Sequence, residues 1–174
     1  METLAGLLLL VQALAALLGA LSTVWGEFAY VRAIGDGRVD AAELAHLNAT
    51  ARGLYFGMTL LLLSSLGLVV LAYLTDASLQ PAQTASYWSF IAVALLVTLL
   101  AWGRSRGHIP FSLGSAAIFT GWWFLAYLAF GQLPLRSFGA AIALYVVATA
   151  ILYGALRLIR YLMISKGWGA PDVV

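Results

Sequence analysis

Apolar positions in this chain neither alternate, as in a half-buried strand, nor form a single stripe, as on a surface helix. They come in long runs separated by short polar connections. An α-helix needs about 20 apolar residues to cross the hydrocarbon of a bilayer. Five runs approach or exceed that length: Leu4 to Tyr30, Leu54 to Leu74, Tyr87 to Trp102, Ile109 to Phe130 and Phe138 to Leu158. The third is the shortest. Tyr30, Tyr55, Tyr73, Tyr87, Trp88 and Trp102 stand near the ends of these runs, where amphipathic rings favour the headgroup layer. A cleavable signal peptide would need a basic leading segment, and Glu2 is the first run's only charge before Glu27, so the first run is predicted to be a retained span.

Composition agrees. Of 174 residues 63% are hydrophobic and only 9% charged, against about 25% charged in soluble domains. The predicted class is an all-α membrane protein: one domain of five transmembrane helices in a single bundle, with the lipid bilayer as its first partner. The absence of cysteine excludes disulfides, thiolate metal sites and thiol nucleophiles. A net charge of +2 gives no reason to expect a nucleic-acid partner.

The basic residues carry a topological signal instead. Arg32, Arg38, Arg52, Arg104, Arg106, Arg157, Arg160 and Lys166 fall on one side of the predicted membrane, and only Arg136 on the other. The positive-inside rule then puts the N-terminus outside and the C-terminus in the cytoplasm of a bacterial-type inner membrane.

Small and polar residues mark the expected packing faces. Gln12, Ala16, Gly19, Thr23, Glu27 and Tyr30 recur at helical spacing on the first span. The second span offers Gly53, Gly57, Ser64 and Gly67, and the fifth Gly139, Ala143, Ala150 and Gly154. Close backbone approach and hydrogen bonds join helices in lipid, so these faces are expected to point into the bundle.

The charged connection "RAIGDGRVDAAELAHLNATARG" has two readings. Asp36, Gly37, Val39, Asp40 and Glu43 match later positions of a calcium-binding EF-hand loop, but Arg32 and Ile34 replace its first two ligands. The favoured reading is a Gly35 to Gly37 turn, Asp40 as helix cap and Glu43 completing a capping box. A short amphipathic helix from Ala41 to about Arg52 would then lie on the cytoplasmic surface before the second span. This loop, with Asp36, Arg38, Asp40, Glu43 and Arg52, is the candidate surface for a protein partner.

Two intramembrane polar residues are candidate sites. Glu27 lies near the cytoplasmic boundary, where it is read either as a proton or cation site or as a structural ion pair, with Arg52 or Arg157 as partner. Gln12, in the outer half, is expected to hydrogen-bond between helices. No ionisable residue falls at the middle of a span, which argues against an ion pump or proton-coupled carrier. The chain has no HExxH, GxSxG or Walker loop and no paired intramembrane carboxylates, so no catalytic residue is assigned and an enzyme is not expected. Ser112 and Ser115 read as helix-packing hydroxyls. His46 and His108 both belong to the cytoplasmic side and could together hold haem or a metal ion.

The first span "LVQALAALLGALSTVWGEF", the loop "RAIGDGRVD" and the fourth span "SLGSAAIFTGWWFLAYLAFG" together resemble small bacterial polytopic inner-membrane proteins akin to the copper-resistance CopD and cytochrome b561-like membrane domains. The resemblance covers less than half of the chain. It implies a helical bundle and, in the histidine-bearing relatives, a His-x-x-Gly near the outer end of the first span; Gln12 stands at that position here.

The leading expectation is therefore a non-enzymatic accessory or interaction subunit, with a protein partner or as a homo-oligomer, and no cofactor is predicted for it. The alternatives are an electron-transfer protein holding haem b through His46 and His108, and a small channel or carrier for a neutral solute along the Gln12 to Glu27 face.

Overall fold

The computed structural model describes residues 2–35, 41–75, 83–133 and 137–165, without the side chains of 2, 33–35, 42–44, 46–48 and 163–165. The described residues form five α-helices and no strand: α1 (Glu2–Gly35), α2 (Ala41–Leu74), α3 (Ala85–Ser105), α4 (Phe111–Ala129) and α5 (Phe138–Ser165). Each is long and apolar enough to cross a membrane.

Long apolar runs become helices here because a helix satisfies its backbone within one segment, and α-helices and closed β-barrels are the structures that can do so in lipid. The breaks fall where turn chemistry requires them. Thr84 caps α3, its Oγ1 accepting from the Tyr87 N–H at 3.2 Å. Gly107, at φ +73°, reverses the chain after α3, and Pro110 caps α4, which explains why α4 begins at Phe111 and not at Ile109. Gly131, at φ +66°, does the same after α4, and its N–H bonds back to the Leu128 carbonyl at 3.0 Å.

Several boundaries differ from the sequence reading. The helix expected between Ala41 and Arg52 is continuous with the second span, so α2 is a single helix of 34 residues, about 50 Å long. It contains no proline, and its glycines, Gly53, Gly57 and Gly67, cost only about 1 kcal/mol each, too little to break it. Likewise α3 gains residues at both ends, and α5 runs on past Leu158 to Ser165, which brings Arg160 into the helix.

The helix α4 is the centre of the bundle. It touches α1, α3 and α5, while α1 and α2 form a closely packed hairpin against it and α2 barely meets α3. Trp122 is its keystone, 1% exposed, in a pocket made by glycines on the two neighbours. A Cβ on Gly19 would collide with the indole, and one on Gly57 would fall 3.4 Å from it. Ala15, Ala16, Ala20, Met58 and Leu61 complete this layer.

The expected packing faces hold on α1 and fail on α5. Ala16, Gly19 and Thr23 are buried, with Gln12, Glu27 and Tyr30 partly so. On α2, Gly57 and Ser64 are buried and Gly67 meets Leu8, but Gly53 is exposed and a Cβ there would touch nothing. On α5 the stripe Gly139, Ala143, Ala150 and Gly154 faces outward, and the helix packs through Ala141 and Tyr145. The reason lies across the contact: α4 itself supplies the small residues Ala116, Ala117 and Gly121, so α5 can offer a large one. Tyr145 donates its hydroxyl to the Ala117 carbonyl at 2.9 Å and meets Phe124 edge-on.

Candidate functional site

Polar chemistry gathers at the end of the bundle where α1, α3 and α5 finish and α2 and α4 begin. Glu27 is on α1, and its carboxylate accepts from Arg160 Nη2 of α5 at 2.6 Å. The two side chains are only 14% and 12% exposed. The same Nη2 donates to Ser115 Oγ of α4 at 3.1 Å, tying three helices through one guanidinium. Arg160 also lies over the rings of Tyr30 and Phe111, at 5.1 and 5.6 Å, and those rings stack at 3.8 Å. A buried charge needs a partner and further hydrogen bonds to offset its lost hydration; Glu27 and Ser115 supply them at Nη2, while the buried Nε has no partner among the described residues.

The pairing corrects two expectations. Arg160, not Arg52 or Arg157, is the partner of Glu27, because α5 continues beyond Leu158; Arg157 is exposed. Ser115 is more than a packing hydroxyl.

Beside the pair lies a cleft of about 330 Å³ between α1, α2, α3 and α4, within the size range of small-ligand sites. Ser22, Thr23, Glu27, Tyr30, Thr50 and Arg104 give it polar walls, and Leu54, Ile118 and Phe119 apolar ones. A second cavity of about 350 Å³ opens between α2 and α3, lined by Met58, Leu62, Val97, Ala101, Ile118 and Trp122 among others. Ala51, Leu54, Arg104 and Ile118 belong to both.

Arg104 is the residue that joins them, and the sequence reading gave it only a topological role. Its stem crosses α4 at Gly114, where a Cβ would meet Arg104 Cδ at 3.3 Å. Its guanidinium lies 5.4 Å from the centre of the Phe111 ring. Glu27 is near enough to be felt electrostatically, yet its carboxylate is bonded to Arg160. Among the described residues no hydrogen bond or ion pair holds the Arg104 guanidinium. Along the chain Arg104 falls two residues past the predicted third run, and only the fold makes it a cavity wall.

The other expected residues are not gathered here. Gln12 is partly buried on α1, and the Trp122 ring lies against Gly19 between it and Glu27. His108 is exposed and stacks parallel to Trp102 with 6.1 Å between ring centres. The His46 and Glu43 side chains lie outside the described residues, as do Asp36, Arg38 and Asp40 of the loop, while Arg52 is exposed within α2. No group of three His, Asp or Glu side chains that could hold a metal ion occurs among the described residues.

No family model matches the chain, and neither a curated protein nor a solved structure is found to match it. The resemblance to the CopD and cytochrome b561-like domains therefore rests on the three sequence stretches alone.

Proposed function

We propose that this protein is a non-enzymatic accessory component of a bacterial-type cytoplasmic membrane, oriented N-terminus out and C-terminus in, that works by holding an anionic group in the cleft at its basic end. Eight of the nine basic residues fall on the side assigned to the cytoplasm, which supports the orientation. The observation that carries the binding role is Arg104: it lines both cavities, while Arg160 takes the one carboxylate that lines either of them among the described residues. A cation at the edge of a low-dielectric cleft attracts an anion more strongly than one in open water. Glu27 is hydrogen-bonded to Arg160, and the Arg104 guanidinium lies 5.4 Å from the centre of the Phe111 ring. What enters is held and not converted.

The test uses the full chain in a neutral detergent, with thermal unfolding followed by tryptophan fluorescence. Inorganic phosphate and hexyl phosphate, at constant ionic strength, are expected to raise the midpoint, and hexyltrimethylammonium is not. The rise should vanish in Arg104→Gln and survive in Arg157→Gln. Equal midpoints with and without phosphates would overturn the reading.

A further inference from the structure

We propose that the anion is the headgroup of an anionic lipid drawn from the surrounding leaflet, with one acyl chain lying in the groove between α2 and α3. The inference rests on the binding role above and specifies its ligand. It starts from the shape of the second cavity. Ala51, Leu54, Tyr55, Met58, Thr59 and Leu62 of α2 form one helical face along it, and the α3 face from Val97 to Ser105 stands opposite.

From Ala51 to Leu62 the groove follows α2 for about 16 Å, close to one leaflet of a hydrocarbon core about 30 Å thick. The two helices scarcely touch, so the space between them opens sideways to lipid. Its walls are dry in character. Thr59 and Thr98 spend their hydroxyls on their own helices, donating to the Tyr55 and Ala94 carbonyls at 3.0 and 2.9 Å, so they can present methyl groups to the groove. Trp122 and Ile118 form the floor.

Polarity changes at one end only. Arg104 and Ser105, in the last turn of α3, and Tyr55 on α2 stand where the groove reaches the basic end. That is the headgroup level of a five-span bundle, and the charge there is positive. A lipid phosphate on Arg104 would meet a donor that no described residue occupies, and its chain would cover apolar wall that α2 and α3 leave open to each other. A free phosphate would satisfy Arg104 but leave the groove to exchange bulk lipid.

The experiment reconstitutes the full chain in nanodiscs of phosphatidylglycerol and phosphatidylcholine in equal parts, releases it into a neutral detergent and counts bound lipid by native mass spectrometry. One phosphatidylglycerol is expected to stay bound while phosphatidylcholine does not. Arg104→Gln should weaken retention roughly tenfold or more, the worth of one charge-assisted hydrogen bond. Thr98→Trp, which fills the groove from an exposed position, should abolish retention yet keep the stabilisation by inorganic phosphate; Leu99→Trp, on the exposed side of α3, should change neither. Equal retention of the two lipids, or retention that survives Thr98→Trp, overturns the lipid assignment. If inorganic phosphate still stabilises through Arg104 in that case, anion binding stands; if neither probe binds, both proposals fall.

Discussion

The two halves of the α1–α2–α4 contact are built on opposite principles. Around Trp122, glycines on α1 and α2 make room for a large ring from α4, and the indole fills the space between them and is buried there. Toward the basic end, the same helices carry Glu27, Thr23, Thr50 and Ser115, and they part around a cleft. Hydrophobic burial does not drive helices together in lipid, so tight packing must come from shape, and an opening must be held by polar groups that satisfy one another. The first half holds the bundle together. The second leaves one guanidinium with room beside it.

The largest effect should come from forcing the closed half open. Gly19→Leu puts a side chain where the indole lies and is expected to cost 3 kcal/mol or more, about the upper end for an overpacked core, and to abolish a cooperative unfolding transition in detergent. Gly19→Ala combined with Trp122→Leu should recover part of the loss of Gly19→Ala alone. Absence of any rescue would mean that the ring is not what the glycine accommodates.

In the polar half, Glu27→Gln leaves the Arg160 guanidinium without its carboxylate partner. The expected cost is about 3 kcal/mol, as for a buried pair that loses one member. The double variant Glu27→Gln with Arg160→Met should be more stable than Glu27→Gln, and equal midpoints for the two would show that the pair carries no coupling. A smaller loss, about 1 kcal/mol, is expected for Tyr145→Phe, which removes the single hydroxyl bridge from α5 to the Ala117 carbonyl. The smallest change has the opposite sign: Gly154→Ala, at an exposed helical position where a Cβ meets nothing, should stabilise by up to about 1 kcal/mol in the same unfolding assay. Destabilisation there would show that the outward stripe of α5 has a partner.

Helix number and rough position could be read from hydropathy because crossing a bilayer constrains length and polarity at once. The α1 face from Gln12 to Tyr30 was legible for a related reason: small residues at helical spacing are rarely placed without a contact. The same rule misled on α5, where Gly139 and Gly154 have the right spacing but α4 had already supplied the small side of the joint. One helix's pattern cannot say which partner brings the bulk, and Trp122, among several tryptophans, gave no sign of being the buried one. At the cleft, Glu27 was visible as an intramembrane acid, but its partner depended on how far α5 continues. Arg104 looked like one more cytoplasmic cation. Its role follows from Gly114 and Phe111 on the next helix, a relation of three dimensions that spacing along the chain does not encode.

The basic end is an open cleft, and between α1, α2 and α4 the Trp122 indole closes the layer next to it. The chain has no cysteine, so single cysteines report cleanly. Ala51→Cys lies in the cleft and Ala16→Cys in the closed layer, fully buried. A charged, membrane-impermeant maleimide applied to inside-out vesicles should modify Ala51→Cys and leave Ala16→Cys untouched, and right-side-out vesicles should protect both. Labelling of Ala16→Cys as readily as Ala51→Cys, or of Ala51→Cys from the outer face alone, would show that the basic end is not the open one.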